Sequence, residues 1–318
     1  MPIASYILLI LPSLRHTTQM KEQSNSLRAV LFALVGNFAI AVIKFIVSVI
    51  SGSSAMLAES IHSLADTTNQ VFLLIGRKRS KKGADEAHSF GYGKEEYFWG
   101  FLVAVLLFFL GGCFSIYEGI HKLMHPEELE NYIYIFIVLV LSIAIELKSF
   151  TVALTEFRKS SSGKLLKAVT DSTETNIFVI LVEDFAALAG LTIVLVSSLL
   201  SLINPLFDAV GTLLVGALLL IMSYFLANEL RKLIIGENIS REMRNEIKSI
   251  VSRHTDVRHI NNIRSMYIGN NNFILLISVD IEDRTKASAI ESITAQIKSD
   301  ITMLYPRAKY IYLEVEES

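Results

Sequence analysis

Apolar runs long enough to cross a bilayer recur along the first two thirds of the chain, at residues 29–50, 54–75, 97–117, 132–153, 176–200 and 206–226. A helix rises about 1.5 Å per residue, so roughly 20 apolar residues bridge the hydrocarbon core, and the pattern predicts six membrane-spanning helices. The connections alternate in character. Arg77-Lys78-Arg79-Ser80-Lys81-Lys82 follows the second run, Arg158, Lys159, Lys164 and Lys167 the fourth, and Arg231 and Lys232 the sixth, whereas the other three connections carry only Lys122. Basic residues are retained on the cytoplasmic side, which places both termini there. Tyr97, Trp99, Tyr117, Tyr132 and Tyr134 cluster at the run ends, where amphipathic rings prefer to sit.

Beyond residue 232 the long runs give way to the shorter periods of a water-facing domain. Met243, Ile247, Ile250 and Val251 have helical spacing within 241–251. Strands are expected at 260–268 and 273–281, separated by the hairpin punctuation Gly269-Asn270-Asn271-Asn272. In the second strand Phe273, Leu275, Ile277, Val279 and Ile281 share a face. A second helix lines up Ile290, Ile293, Ile297, Ile301 and Leu304 and stops before Pro306, and a last strand, 309–315, alternates Ile311, Leu313 and Val315. The expected fold class is therefore a polytopic α-helical membrane protein with a cytoplasmic α+β domain of order α-β-β-α-β, similar to ferredoxin-like units. The division is a tail at 1–26, a membrane domain at 27–232 and a cytoplasmic domain at 233–318.

Composition sharpens this picture at few points. Hydrophobic residues make up 52% of the chain and charged ones 19%, against about 25% charged in ordinary soluble domains. A net charge of −2 gives no sign of a nucleic-acid partner. The single cysteine, Cys113, excludes a disulfide framework and a Cys-rich metal site, and its apolar setting predicts a small buried hydrophobe. Met1 to Met20 holds an apolar run too short to span, and Met20 opens a polar leader suited to a true N-terminus, so the first nineteen residues are expected to be a start-site artefact or a tail. No Gly-x-x-x-x-Gly-Lys loop and no His-Glu-x-x-His helix occurs, which argues against ATP-driven transport, against an intramembrane zinc peptidase and for a protein that is not an enzyme.

The chemistry lies in the second and fifth runs. His62 and Asp66 stand four apart in Leu57-Ala58-Glu59-Ser60-Ile61-His62-Ser63-Leu64-Ala65-Asp66, so they project from one helix face, with Glu59 three residues before His62 on the same side. An ionisable group at membrane depth costs about 2.5 kcal/mol or more, and a helix carrying several needs a compensating cation. Imidazole nitrogen and carboxylate oxygen suit a tetrahedral divalent ion such as Zn²⁺. The fifth run adds Glu183 and Asp184, so His62, Asp66 and Asp184, with Glu59 or Glu183, form a candidate site between two helices. Lys44 in the first run is the main rival explanation, as an ion-pair partner for one of these acids. Glu146 and Lys148 read as an interfacial pair, with Glu146 facing the cavity as the alternative.

Longer motifs surround these residues. Gly52 through Asp66, then His88-Ser89-Phe90-Gly91-Tyr92-Gly93-Lys94-Glu95-Glu96, Tyr117-Glu118-Gly119-Ile120-His121, His125-Pro126-Glu127-Glu128 and Leu233-Ile234-Ile235-Gly236-Glu237 together resemble the cation diffusion facilitators, from Ser26 onward. The resemblance implies a homodimeric, proton-coupled exporter of a divalent metal ion; the His and carboxylate donors make Zn²⁺ the expected substrate, no resident cofactor is expected, and the protein is expected as a multi-pass protein of the bacterial inner membrane. It assigns Asp184 to the last position of a His/Asp-x-x-x-Asp pair on the fifth span. There the expected partner is replaced by Ile180, and Glu183, Asn176 or water must supply the fourth ligand. Glu183-Asp184 resembles the branch related to vertebrate zinc transporter nine. A secondary metal site is implied at Asp85 and His88, with Tyr92 in place of a His found in some members. His254 and His259 are the only histidines of the cytoplasmic domain, for which dimerisation is the expected role. Two rival functions stand beside transport by exchange: a membrane scaffold that keeps the fold, kept open by Ile180, and a passive cation channel.

Overall fold

The computed structural model describes residues 34–126, 128–160, 175–269 and 271–317. The tail at 1–26, Glu127 and the linker containing Lys164 and Lys167 lie outside the described residues. Six long helices run in sequence: α1 (Leu34–Ser51), α2 (Ser54–Ser80), α3 (Glu95–Met124), α4 (Tyr132–Ser160), α5 (Thr175–Ser201) and α6 (Leu206–Ile235). α2 and α6 outrun their apolar runs because their polar, basic ends still close helical hydrogen bonds. Arg77, Lys78 and Arg79 occupy the last turn of α2, where cations complement the helix dipole. Five of the helices are long and apolar enough to cross a membrane, and α2 is not among them. Glu59, His62, Asp66 and the basic end make α2 the most polar of the six, so it depends on α1, α3, α5 and α6 to shield its polar face.

The end of the bundle where α1 leads into α2 is tied by polar groups. Ser53 caps α2, accepting from Met56 N at 3.1 Å. Asp208, fully buried in the first turn of α6, accepts from Ser53 Oγ at 2.6 Å and from Ser54 N at 2.8 Å. Lys122 Nζ donates to Gly52 O at 2.5 Å, and Ser54 Oγ to Glu118 Oε1 at 3.1 Å. Beneath this layer Met56, Leu107, Leu139, Leu191 and Leu219 form the apolar centre. Where α3 crosses α6, Gly112 faces Leu220, Gly119 faces Leu213 and Gly216 faces Ile116, with no room for a side chain at the first two. Leu107–Cys113 of α3 is π-helical, and it leaves Cys113 exposed on the helix surface, contrary to the buried hydrophobe expected of it.

The remaining segment is α7 (Arg241–Val251), β1 (Val257–Gly269), β2 (Asn272–Ile281), α8 (Ala287–Leu304) and β3 (Ala308–Val315). The sheet order is β1-β2-β3, antiparallel then parallel. Leu275, Ile277 and Val279 pack with Ile247, Ile250, Ile297 and Ile301, the stripes expected of the two helices. Gly269 closes β1 at φ +98° and abuts the backbone of Gly93, just ahead of α3, where neither position has space for a Cβ. Lys94 Nζ donates to Ile234 O at 3.2 Å, joining the start of α3 to the end of α6 beside this contact.

Candidate metal site in the membrane domain

His62 lies one turn above Asp66 on α2, with Nε2 3.7 Å from Asp66 Oδ2. The imidazole is buried, while 26% of the Asp66 side chain remains accessible and opens into a cavity lined by Ala65, Asn69, Val103, Ala186 and Phe225.

Glu59 is engaged differently. Lys44 Nζ from α1 sits 3.1 Å from Glu59 Oε1 and donates to Ser63 Oγ at 2.7 Å, and both charged side chains are buried. The second oxygen, Oε2, lacks a hydrogen-bond partner among the described residues and faces Gly190 of α5, where an added Cβ would come within 3.2 Å of it. Gly190 thus sets how closely α2 and α5 approach at this level. Gly190→Val is expected to force the two helices apart and lower metal affinity by about tenfold or more, as loss of supporting geometry does; a titration indistinguishable from the parent would exclude the close approach as a requirement.

Asp184 projects from α5 and accepts from Ser149 Oγ of α4 at 3.2 Å, within electrostatic reach of Asp66. Glu146, one turn before Ser149 on α4, lies within electrostatic reach of Asp66, Asp184, Glu59 and Lys44. The interfacial pairing of Glu146 with Lys148 is therefore replaced by a place in the acidic cluster, while Lys148 is exposed. The available signal was the spacing of Glu146 and Ser149, which share a helix face. Among the described residues Glu59, Asp66, Asp184 and Lys44 all lie within electrostatic reach of Glu146, and Lys44 pairs with Glu59 alone, so this region is short of positive charge. No three His, Cys, Asp or Glu among the described residues gather closely enough to hold a metal. The side chains of Glu183, Ile180 and Asn176 lie outside the described residues.

The connection between α2 and α3 brings Asp85, His88 and Tyr92 together around an ammonium. Lys82 Nζ lies 2.8 Å from Asp85 Oδ2 and 2.9 Å from Tyr92 OH, and Tyr92 OH donates to the same carboxylate oxygen at 2.9 Å. His88 N donates to Asp85 Oδ1 at 2.9 Å, and the imidazole lies against the Tyr92 ring at 4.0 Å. The hydrogen bond from Lys82, followed by that from Tyr92, holds the Asp85 carboxyl well below the usual carboxylate range. In the cytoplasmic domain His254 Nε2 lies 3.3 Å from Asp300 Oδ2, and His259 is exposed on β1 opposite Asp280.

The chain is similar to known proteins over most of its length. Residues 30–235 match the family described as the cation efflux transmembrane domain. Over 246 residues the chain is 32% identical to the mouse (Mus musculus) protein named proton-coupled zinc antiporter SLC30A9, mitochondrial, covering 76% of this chain and 43% of the relative. The human (Homo sapiens) protein of the same name is 31% identical over the same shares. Metal tolerance protein C4 of Arabidopsis thaliana is 29% identical over 264 residues, 81% of this chain and 58% of that protein. The chain spans less than half the length of the mouse and human relatives it matches.

Proposed function

The chain belongs to the cation efflux family, and we propose that it is a secondary antiporter that exports a divalent transition-metal ion, Zn²⁺ foremost, in exchange for protons. The observation that carries this reading is the His62–Asp66 pair on α2, with Asp184 of α5 and Glu146 of α4 within electrostatic reach of Asp66, acids at membrane depth that outnumber the one ammonium of Lys44. His62, Asp66 and Asp184 are the ligands we assign, with Glu183 or water completing the shell and Glu146 facing it. Glu59 shares one oxygen with Lys44, so only its second oxygen, Oε2, is open to a metal ion.

Proton exchange follows from ligand chemistry. A metal ion and protons compete for the same lone pairs, and imidazole, with an unperturbed pKa of about 6.5, changes hands near neutral pH. Carboxylate and imidazole also accept Co²⁺, Fe²⁺, Ni²⁺ and Mn²⁺, so the donor set favours Zn²⁺ through its tetrahedral preference and not through exclusion. The basic ends of α2 and α6 support cytoplasmic termini, and we place the protein as a homodimer in a bacterial inner membrane, which membrane fractionation and cross-linking test.

One observation favours a second reading, a scaffold that retains the fold: no three ligands gather among the described residues. Calorimetric titration of the purified protein with Zn²⁺ separates the two. The antiporter shows a tight stoichiometric equivalent that Asp184→Asn removes, whereas a scaffold lacks that tight equivalent. The same titration tests the loop, which we read as a clasp closed by the Lys82 ammonium. Removing that internal cation by Lys82→Ala frees Asp85, His88 and Tyr92, and one additional equivalent of metal is expected; an unchanged stoichiometry would count against the ammonium as the occupant.

A further inference from the structure

Two of the chain's seven histidines meet on the surface that the acidic chamber leaves unused. His121 and His125 stand one turn apart at the end of α3, their ring centroids 5.1 Å apart and their planes inclined by 33°. Both are exposed. Tyr117, a further turn back, stacks over His121 at 6.4 Å with planes 22° apart, which limits the rotation of that ring. His125 N donates to His121 O at 3.0 Å, so the final helical turn holds both backbones in place. The one cation between them, Lys122, is buried and turned inward to Gly52 O, leaving the histidine face without a competing ammonium.

This pair occupies the end of the bundle shared by the α1–α2 connection, to which Glu130 N is bonded through Ser51 O at 2.9 Å. The basic end of α2 and the sheet domain lie at the opposite end of the helices, where Gly93 meets Gly269. If α2 and α5 carry a metal ion across, this is the face on which it emerges.

We propose that His121 and His125 together form a surface seat for a divalent transition-metal ion, chelated by two imidazole nitrogens with water in the remaining positions. Residues four apart on a helix lie on one face about 6 Å apart along the axis, a separation that two imidazoles bridge around a single ion. Neutral imidazole is the ligand that Zn²⁺, Cu²⁺ and Ni²⁺ share, so the seat is selective against Mg²⁺ and Ca²⁺, which prefer oxygen. Weak, water-completed binding suits a transient stop, since a closed four-ligand site would retain the ion. The seat rests on the antiporter reading only for the origin of its cargo, because binding itself requires just these two rings.

The test uses the full chain in lipid nanodiscs carrying Asp66→Asn and Asp184→Asn, which silences the intramembrane site. Titration with Zn²⁺ is expected to leave one weak equivalent, lost on adding His121→Gln or His125→Gln and retained with His259→Gln. With one equivalent of Cu²⁺, electron paramagnetic resonance is expected to show coupling to two imidazole nitrogens, reduced to one or none by either substitution. Retention of the equivalent and of the two-nitrogen signal after both His→Gln changes would overturn the proposal, as would an absence of any weak equivalent. Gln keeps helical propensity and polarity, and a monodisperse elution profile verifies folding of each variant. A failed antiport assay with the surface equivalent intact would reject the transport reading alone; intact antiport without that equivalent would reject the seat alone.

Discussion

Asp66→Asn is expected to reduce Zn²⁺-driven proton flux in proteoliposomes to the level of empty vesicles. The carboxylate is the more accessible member of the His62–Asp66 pair, and both side chains line the cavity. Replacing it with an amide keeps the shape but removes the charge that attracts a divalent ion and the oxygen that exchanges it for protons. The loss should exceed the roughly 10–100-fold that removing an outer-shell partner costs. Ser149→Ala, which deprives Asp184 of its hydrogen-bond donor without touching a ligand, provides that smaller comparison. His62→Ala should match Asp66→Asn in flux, and both variants should retain the elution volume and thermal transition of the parent. Flux within threefold of the parent for Asp66→Asn would remove the pair from the transport path.

The second large effect concerns stability. Asp208→Ala is expected to destabilise the membrane domain by about 2–5 kcal/mol, because it leaves the Ser53 hydroxyl and the Ser54 N–H buried without their acceptor. It also removes an anion within electrostatic reach of Lys122, whose ammonium caps the same corner through Gly52 O. Asp208→Asn keeps one acceptor oxygen and should lose less. Ser53→Ala should cost about 1 kcal/mol, the usual worth of an N-cap, since the Met56 N–H then loses its partner. Thermal unfolding in detergent orders the three variants; an Asp208→Ala transition within about 2 °C of the parent would show that the corner is solvated and carries little stability.

Much of the fold was legible because its periods are physical ones. The bilayer thickness dictates the length of each apolar run, and the runs at 132–153 and 206–226 became α4 and α6 with their starts where expected. Helical and strand periods located α7, β2 and β3 within a residue or so, because Leu275, Ile277 and Val279 recur every second position toward the helices they pack against. Helix ends were less legible, as at α3, which continues through His121 to Met124 because backbone hydrogen bonds persist after the apolar run ends. The π-helical stretch at Leu107–Cys113 has no signature in the residue pattern, and it is what turned Cys113 outward.

The candidate site divides in the same way. By itself the sequence determined that His62 and Asp66 share one helix face, because a spacing of four on an α-helix leaves no alternative, and that acids at membrane depth demand a cation. Which acids belong to the chamber was decided by the tertiary structure alone. Lys44 takes Glu59, Glu146 turns from the supposed pairing with Lys148 toward Asp66 and Asp184, and Asp208 is drawn into the cap of α2 from more than 150 residues away. The physical reason is that periodicity specifies the face of one helix, whereas the partner of a buried charge depends on which helices pack together and how closely glycines such as Gly190 let them approach.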